Sequence, residues 1–94
     1  MLFYSLKKGN KMKEFKAQIK ITLKKGILDV QGKAVEHALH SISYEAINNV
    51  RIGKYVELTV DAADKNEAEK LVKEASEKLI ANPIIEDFEI TILE

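Results

Sequence analysis

The sequence predicts an α+β fold, a ferredoxin-like β-α-β-β-α-β sandwich with two helices on one face of an antiparallel sheet, and three observations predict it. Apolar and polar residues alternate from Phe15 to Lys24. Two later stretches carry apolar residues at helical spacing. A last alternation, Phe88, Ile90 and Ile92 against Glu89 and Thr91, closes the chain. At 94 residues the chain is one domain, with surface enough to bury roughly 60 to 65% of what its unfolded form exposes, and no room for a deep, dry cavity. It reads as a module that works with partners.

Phe15, Ala17, Ile19, Ile21 and Leu23 alternate with Lys16, Gln18, Lys20, Thr22 and Lys24, a period of two that turns one face of a first strand to a core. Residues 1–13 show no sustained period and read as a flexible N-terminal extension, with the single domain over 14–94; Met12 could itself be a start. After the strand, Asp29 suits the N-cap of a helix running to about Ser43, whose stripe is Val35, Ala38, Leu39 and Ile42. Asp64 and Glu67 form a capping-box layout for a second helix with Ala68, Leu71, Val72, Ala75 and Leu79 as its stripe. Asn82-Pro83 ends that helix.

The run 50–62 reads as strand interrupted by Gly53. A two-residue turn at Gly53-Lys54 would put Val50 and Ile52 on the face opposite Val56, Leu58 and Val60. A three-residue turn or bulge over Gly53-Lys54-Tyr55 repairs the phase and sets Arg51 across from Glu57. The other repair is one long strand bent at Gly53, its halves serving different sheets in a dimer. The face away from the helices would carry Lys16, Gln18, Lys20, Thr22, Arg51, Glu57, Thr59, Asp61, Glu89 and Thr91, all polar.

Composition excludes several functions. The 15 Lys and Arg balance 15 Asp and Glu, so no global field draws the chain to nucleic acid or an anionic membrane. Cysteine is absent, which rules out disulfides, thiolate zinc sites and thiol nucleophiles; the cytoplasm is the expected compartment. No signal peptide and no run near the roughly 20 apolar residues of a spanning helix is present. His37, His40 and Glu36 are the one metal-like group. On the helix they fall on the half away from the apolar stripe and supply too few ligands, so they read as surface or interface residues. No serine sits in a nucleophile elbow, and the helix carboxylates read as a solvated face. An RNA-binding sheet would need several aromatics where only Tyr55 is available. The loop Lys24-Lys25-Gly26-Ile27-Leu28-Asp29-Val30-Gln31-Gly32-Lys33 concentrates glycine, charge and amide at a helix start. It reads as a structural turn or protein contact, with phosphate or carboxylate contact as the other use.

Three ordered blocks, 23–39, 50–57 and 81–88, give the chain its family resemblance. With Leu23-Lys24-Lys25-Gly26-Ile27-Leu28-Asp29, Val50-Arg51-Ile52-Gly53-Lys54-Tyr55 and Ala81-Asn82-Pro83-Ile84 at their heads, residues 14 to 94 resemble the PurS family, the small subunit of phosphoribosylformylglycinamidine synthase. Val30 stands where the family often has proline, and the first dozen residues precede its usual start. The resemblance implies a non-catalytic bridging subunit of an ATP-dependent glutamine amidoligase of purine biosynthesis. It would join a glutaminase subunit to a large synthetase subunit and assist ammonia transfer. It implies no cofactor on this chain, with ATP and Mg used by the synthetase subunit, and a homodimer or dimer of dimers. On this basis Lys24, Lys25, Gly26, Asp29, Gln31, Gly32 and Lys33, with Arg51, Gly53, Lys54 and Tyr55 and with Asn82 and Pro83, are the expected partner-binding residues. The competing expectation is an ACT-like regulatory domain that cradles a small molecule in the loop after the first strand.

Overall fold

A computed structural model describes residues 12–94. The expected N-terminal extension lies outside these residues except for Met12 and Lys13, and Lys13 already belongs to a strand. The order is β1 (Lys13–Leu23), α1 (Val30–Ser41), β2 (Lys54–Ala62), α2 (Lys65–Ala75), a π-helical turn (Ser76–Ile80) and β3 (Glu86–Leu93). The strands form one antiparallel sheet in the order β2-β1-β3, with Ala17 opposite Leu58 on one side and opposite Ile92 on the other.

The alternation in β1 is fully realised. Phe15, Ala17, Ile19 and Ile21 are all 3% exposed or less, because β1 is central and α2 lies over it. One helix about 10 Å across cannot cover three strands spaced about 4.8 Å apart. The inner-face residues of the outer strands, Val56, Leu58, Val60, Phe88 and Ile90, are therefore only half-buried. The opposite face is polar as expected, with Lys16, Lys20 and Thr22 flanked by Glu57 and Thr59 on β2 and Glu89 and Thr91 on β3.

Asp64 caps α2 as its sequence implies: its Oδ1 accepts from the Glu67 N–H at 2.8 Å, and Glu67 Oε1 accepts from the Ala63 N–H at 2.7 Å. The buried row of α2 differs from the expected one. Ala68 and Val72 are inside, but Leu71, Ala75 and Leu79 are exposed, Leu79 at 87%. A helix seated over a single strand buries one narrow row, here 68, 72, 76 and 80, and the neighbouring row falls on its flank. The row is prolonged by the π turn, closed by the Ala81 N–H donating to the Ser76 carbonyl at 2.9 Å.

The α+β ferredoxin-like class holds, with two corrections. No turn forms at Gly53: residues 50–53 run on as irregular chain into β2, so the described residues hold three strands instead of four. The Arg51 to Glu57 pairing is accordingly absent. Glu57 stands opposite Gln18, and the Arg51 guanidinium donates to the Leu23 carbonyl. The second correction concerns α1, which makes no extensive packing against the sheet or α2; Gly32 is its one buried residue. It projects from the sheet end.

Ser76 is fully buried and its hydroxyl has no hydrogen-bond partner. Burying such a group unsatisfied costs about 1 to 3 kcal/mol. Ser76→Ala is expected to raise the unfolding midpoint, by about 4 to 8 °C for each kcal/mol recovered in a domain of this size. Calorimetry checks this, and an unchanged or lowered midpoint would show that the hydroxyl is satisfied.

Candidate protein-docking site

The polar loop after β1 is organised by Asp29. Its Oδ1 accepts from the Gly32 N–H at 2.7 Å, satisfying a free donor of the first turn of α1. Its Oδ2 accepts from the Ile52 N–H, also at 2.7 Å, although Ile52 is 23 residues away. One carboxylate thus fastens the start of α1 to the chain entering β2. Further along α1, Glu36 Oε1 accepts from the Val50 N–H at 3.1 Å, and the His40 Nε2–H donates to the Ile47 carbonyl at 2.8 Å.

Positions 29, 32, 36 and 40 are spaced three and four apart, so they make one row along the helix. That row faces residues 52 to 47 running the other way. Gly32 lies in the same row, where a Cβ would come 2.4 Å from the Val50 carbonyl oxygen, so only glycine permits the approach. Gly53 is constrained likewise at the sheet end, where a Cβ would stand 2.5 Å from the Ile21 carbonyl oxygen. Helix and segment together form a stiff arm. Two non-glycine residues stand in the left-handed region, Ser43 at φ 78° in the turn that ends the helix and Asn49 at φ 58° within the returning segment.

A second set of bonds closes the neighbouring corner. The Lys24 N–H donates to the Ile85 carbonyl, and Lys24 Nζ meets Asp87 Oδ1 at 2.7 Å. Glu86 accepts from the Asn82 N–H at 2.7 Å and pairs with Lys54 at 3.2 Å. Asn82 caps its own turn, its Oδ1 accepting from the Ile84 N–H. The exposed Lys24–Asp87 pair contributes about 0 to 1 kcal/mol, so this corner is fixed more by the Glu86 carboxylate and the Asn82 side-chain carbonyl directed at backbone N–H groups.

The structure therefore brings most of the expected docking residues to one end of the sheet. A cleft of about 320 Å³ there is lined by Asp29, Gln31, Gly53, Lys54 and Glu86 over an apolar floor including Ile21. A neighbouring hollow takes in Lys33 and Arg51. Lys25 and Gly26 stand exposed on the turn before it, Gly26 at φ 88° with open space around it. Asn82 reaches the corner through Glu86, and Pro83 stands exposed next to it in the chain. Tyr55 lies apart on the open sheet face, its hydroxyl donating to Glu57 at 3.0 Å. Asp29, Gly32 and Gly53 make their contacts within the chain.

Sequence reading missed Glu36, His40 and Glu86 as clamps. The signal for the first two was present, because 29, 36 and 40 repeat at helical spacing on one polar face. What they face is 14 and 7 residues away and could not be read locally. No group of three or more His, Cys, Asp or Glu among the described residues could hold a metal ion. No helix among them is long and apolar enough to cross a membrane.

The N–H groups of Ile52 and then Gly32 hold the Asp29 carboxyl below the ordinary aspartate value of 3.8, with Arg51 adding to this against the opposing effect of burial. Glu86 is lowered in the same way, first by the Asn82 N–H and then by Lys54. A group depressed in the folded state stabilises fully above its unfolded pKa, and that contribution is lost as pH falls through the folded value. Protection of the Ile52 and Gly32 amides relative to their intrinsic exchange is thus expected to hold above the ordinary aspartate value of 3.8 and to fall only below it, and Asp29→Asn should lower it at neutral pH. Equal exchange in variant and parent would show that the clasp does not hold the arm. Gly32→Ala is expected to lower stability by about 1 to 3 kcal/mol in denaturant titration, since the Val50 carbonyl must move.

Comparison with known proteins covers nearly all of the described fold. Residues 16–94 match the family model PurS, phosphoribosylformylglycinamidine (FGAM) synthase. The phosphoribosylformylglycinamidine synthase subunit PurS of Bacillus subtilis is 48% identical over 80 residues, covering 85% of this chain and 94% of that protein. The subunit of the same name from Synechocystis is 40% identical over 82 residues, covering 85% and 82%. Among solved structures, a crystal form of Bacillus subtilis PurS superposes with a TM-score of 0.78 at 48% identity, over 85% of this chain and 99% of that one. The structure of PurLQS from Thermotoga maritima includes a chain that superposes at 0.80 with 32% identity, over 87% and 100%. With the family model spanning 16–94 and near-complete coverage of relatives at these identities, the chain belongs to the PurS family of phosphoribosylformylglycinamidine synthase subunits.

Proposed function

We propose that this chain is the small, non-catalytic subunit of phosphoribosylformylglycinamidine synthase, joining a glutaminase subunit to an ATP-dependent synthetase subunit so that ammonia passes between their active sites. The observation that carries this reading is the family match over residues 16–94 together with the likeness, at 32% identity, to a chain of the Thermotoga maritima PurLQS structure. The site agrees with it in kind. Its carboxylates at Asp29, Glu36 and Glu86 are spent on backbone N–H groups, which builds shape.

Docking then falls to the end of the sheet where Lys25, Lys33, Arg51 and Lys54 stand exposed around the loop, with Gly26, Gln31, Asn82 and Pro83 beside them. The chain self-associates as a homodimer or dimer of dimers and works in the cytoplasm. ATP and Mg belong to the synthetase subunit. The ACT-like reading is not favoured, because the loop that would cradle an amino acid has its one carboxylate, Asp29, occupied on both oxygens by backbone.

Reconstitution tests the function: glutamine-dependent synthesis by the two larger subunits is expected to require this chain, and equal activity without it would overturn the reading. The docking surface has its own test. Lys25→Ala with Lys33→Ala is expected to weaken assembly with the larger subunits by about tenfold, near 1.4 kcal/mol, with the melting temperature within a few degrees of the parent. Unchanged assembly would place the docking surface elsewhere.

A further inference from the structure

The two hollows at the end of the sheet share a wall and differ in chemistry. Leu28 and Asp29 line both. On one side is the cleft of about 320 Å³, its apolar lining made by Ile21, Leu23, Val30 and Ile52 together with Leu28. On the other, a hollow of about 230 Å³ is overlooked by Lys33 and Arg51. Apolar side chains exposed singly need no explanation, but Leu28 at 68% and Val30 at 69% stand on the rim of one concavity whose floor, Ile21, is buried. A cavity of about 150 Å³ holds a benzene ring, so this cleft has room for one large apolar side chain and part of the chain that bears it.

Charge at the same place is one-sided in what it offers. Asp29 accepts from the Gly32 and Ile52 N–H groups, Glu36 from that of Val50 and Glu86 from that of Asn82, so the carboxylates here face into the chain. Lys25 and Lys33 are exposed and form no ion pair among the described residues. Each ammonium carries donors and no acceptor. An approaching molecule therefore meets free cations beside an apolar cleft, in a frame that the Asp29 bonds and the close approach of Gly53 to the Ile21 carbonyl hold fixed before anything binds. A preformed site loses little freedom on binding.

We infer that this double hollow receives a segment of a larger subunit that carries a Leu, Ile, Met or Phe side chain with an Asp or Glu close by, the apolar group seating in the cleft against Leu28 and the carboxylate meeting Lys33. The inference deepens the docking part of the proposed function and rests on that reading. A polyanion such as RNA would satisfy the lysines and leave the apolar cleft unfilled. The same site of a second copy would set cations against cations, on both sides of an isologous contact. An acidic, apolar segment answers both hollows. Apolar anchors seated in a pocket within a polar rim carry most of the energy of protein contacts.

The full-length chain and the two larger subunits of the same enzyme supply the test, with assembly titrated at about 0.1 M and about 1 M salt, where charges are felt over about 10 and 3 Å. Leu28→Ser is expected to weaken assembly about tenfold or more at both salts. Lys33→Glu is expected to weaken it about tenfold at the lower salt, with most of that deficit lost at the higher. Both positions are exposed, so the melting temperature should stay within a few degrees of the parent. A photoreactive benzoylphenylalanine in place of Leu28 reads the chemistry of the occupant directly: the captured peptide should come from a larger subunit and hold an apolar residue with an acidic one within about four positions. Capture of a peptide from this chain, or of one without an acidic residue at that spacing, overturns the inference. So does Leu28→Ser assembling like the parent, a Lys33→Glu deficit that salt leaves unchanged, or binding of a labelled RNA that Lys33→Glu abolishes. In each of these cases the proposed function stands if the parent chain still assembles and glutamine-dependent synthesis requires it. A parent chain that binds neither larger subunit overturns both.

Discussion

The Asp29 carboxylate decides how the two halves of this molecule stand relative to each other. A helix start leaves N–H groups without partners, and a chain entering an edge strand beyond the end of its neighbour does the same. Asp29 answers both needs with its two oxygens, accepting from Gly32 and from Ile52. The direction in which α1 leaves the sheet follows from that single bifunctional group, and Glu36 and His40 extend the fixation along the helix. Gly32 permits it by having no side chain where the Val50 carbonyl passes.

The arrangement has a thermodynamic consequence. Apolar burial is the main favourable term in folding, at about 25 cal/mol per Å², and here it is concentrated in β1 and one row of α2. The arm draws on hydrogen bonds instead, whose net worth in water is modest because they replace bonds to solvent. Its apolar side chains remain available for association. That division suits a subunit whose work is contact: the sheet and α2 supply a stable platform, and the arm and the neighbouring corner supply surface.

Much of this was legible in the sequence where local rules suffice. The alternation from Phe15 to Leu23 specified β1 and its buried face, and Asp64 with Glu67 specified the start of α2, because strand parity and helix capping involve residues within a few positions of each other. Asp29 was readable as an N-cap for the same reason. Its second bond, to Ile52, was not, since no pattern links residues 23 apart. Gly53 shows the limit most clearly. Parity demanded either a bulged turn or a strand continuing to another sheet, and both satisfied it. Among the described residues neither the turn nor a strand forms over 50–53, where the close approach of Gly53 to the Ile21 carbonyl and the clamps that hold residues 47 to 52 against α1 fix an irregular segment instead. The helix stripes failed differently. Val35, Ala38, Leu39 and Ile42 have the spacing of a buried stripe, yet Val35, Ala38 and Ile42 are exposed, because spacing cannot say where a helix is seated and α1 makes no extensive packing against the sheet or α2. In α2 the row 71, 75 and 79 lost to 68, 72 and 76 because one helix over one strand needs only a narrow contact.

Zero net charge is consistent with this use of surface. With 15 basic and 15 acidic residues the chain has no long-range field to steer a partner or to distinguish one from another. Under the proposed function, selectivity then comes from fitted shape and from charges placed singly, such as Lys25 and Lys33 on the loop, whose influence fades within about 10 Å at ordinary ionic strength. A surface that works at such short range discriminates only when it is held still, and holding it still is what the Asp29 clasp and the glycine at position 32 accomplish.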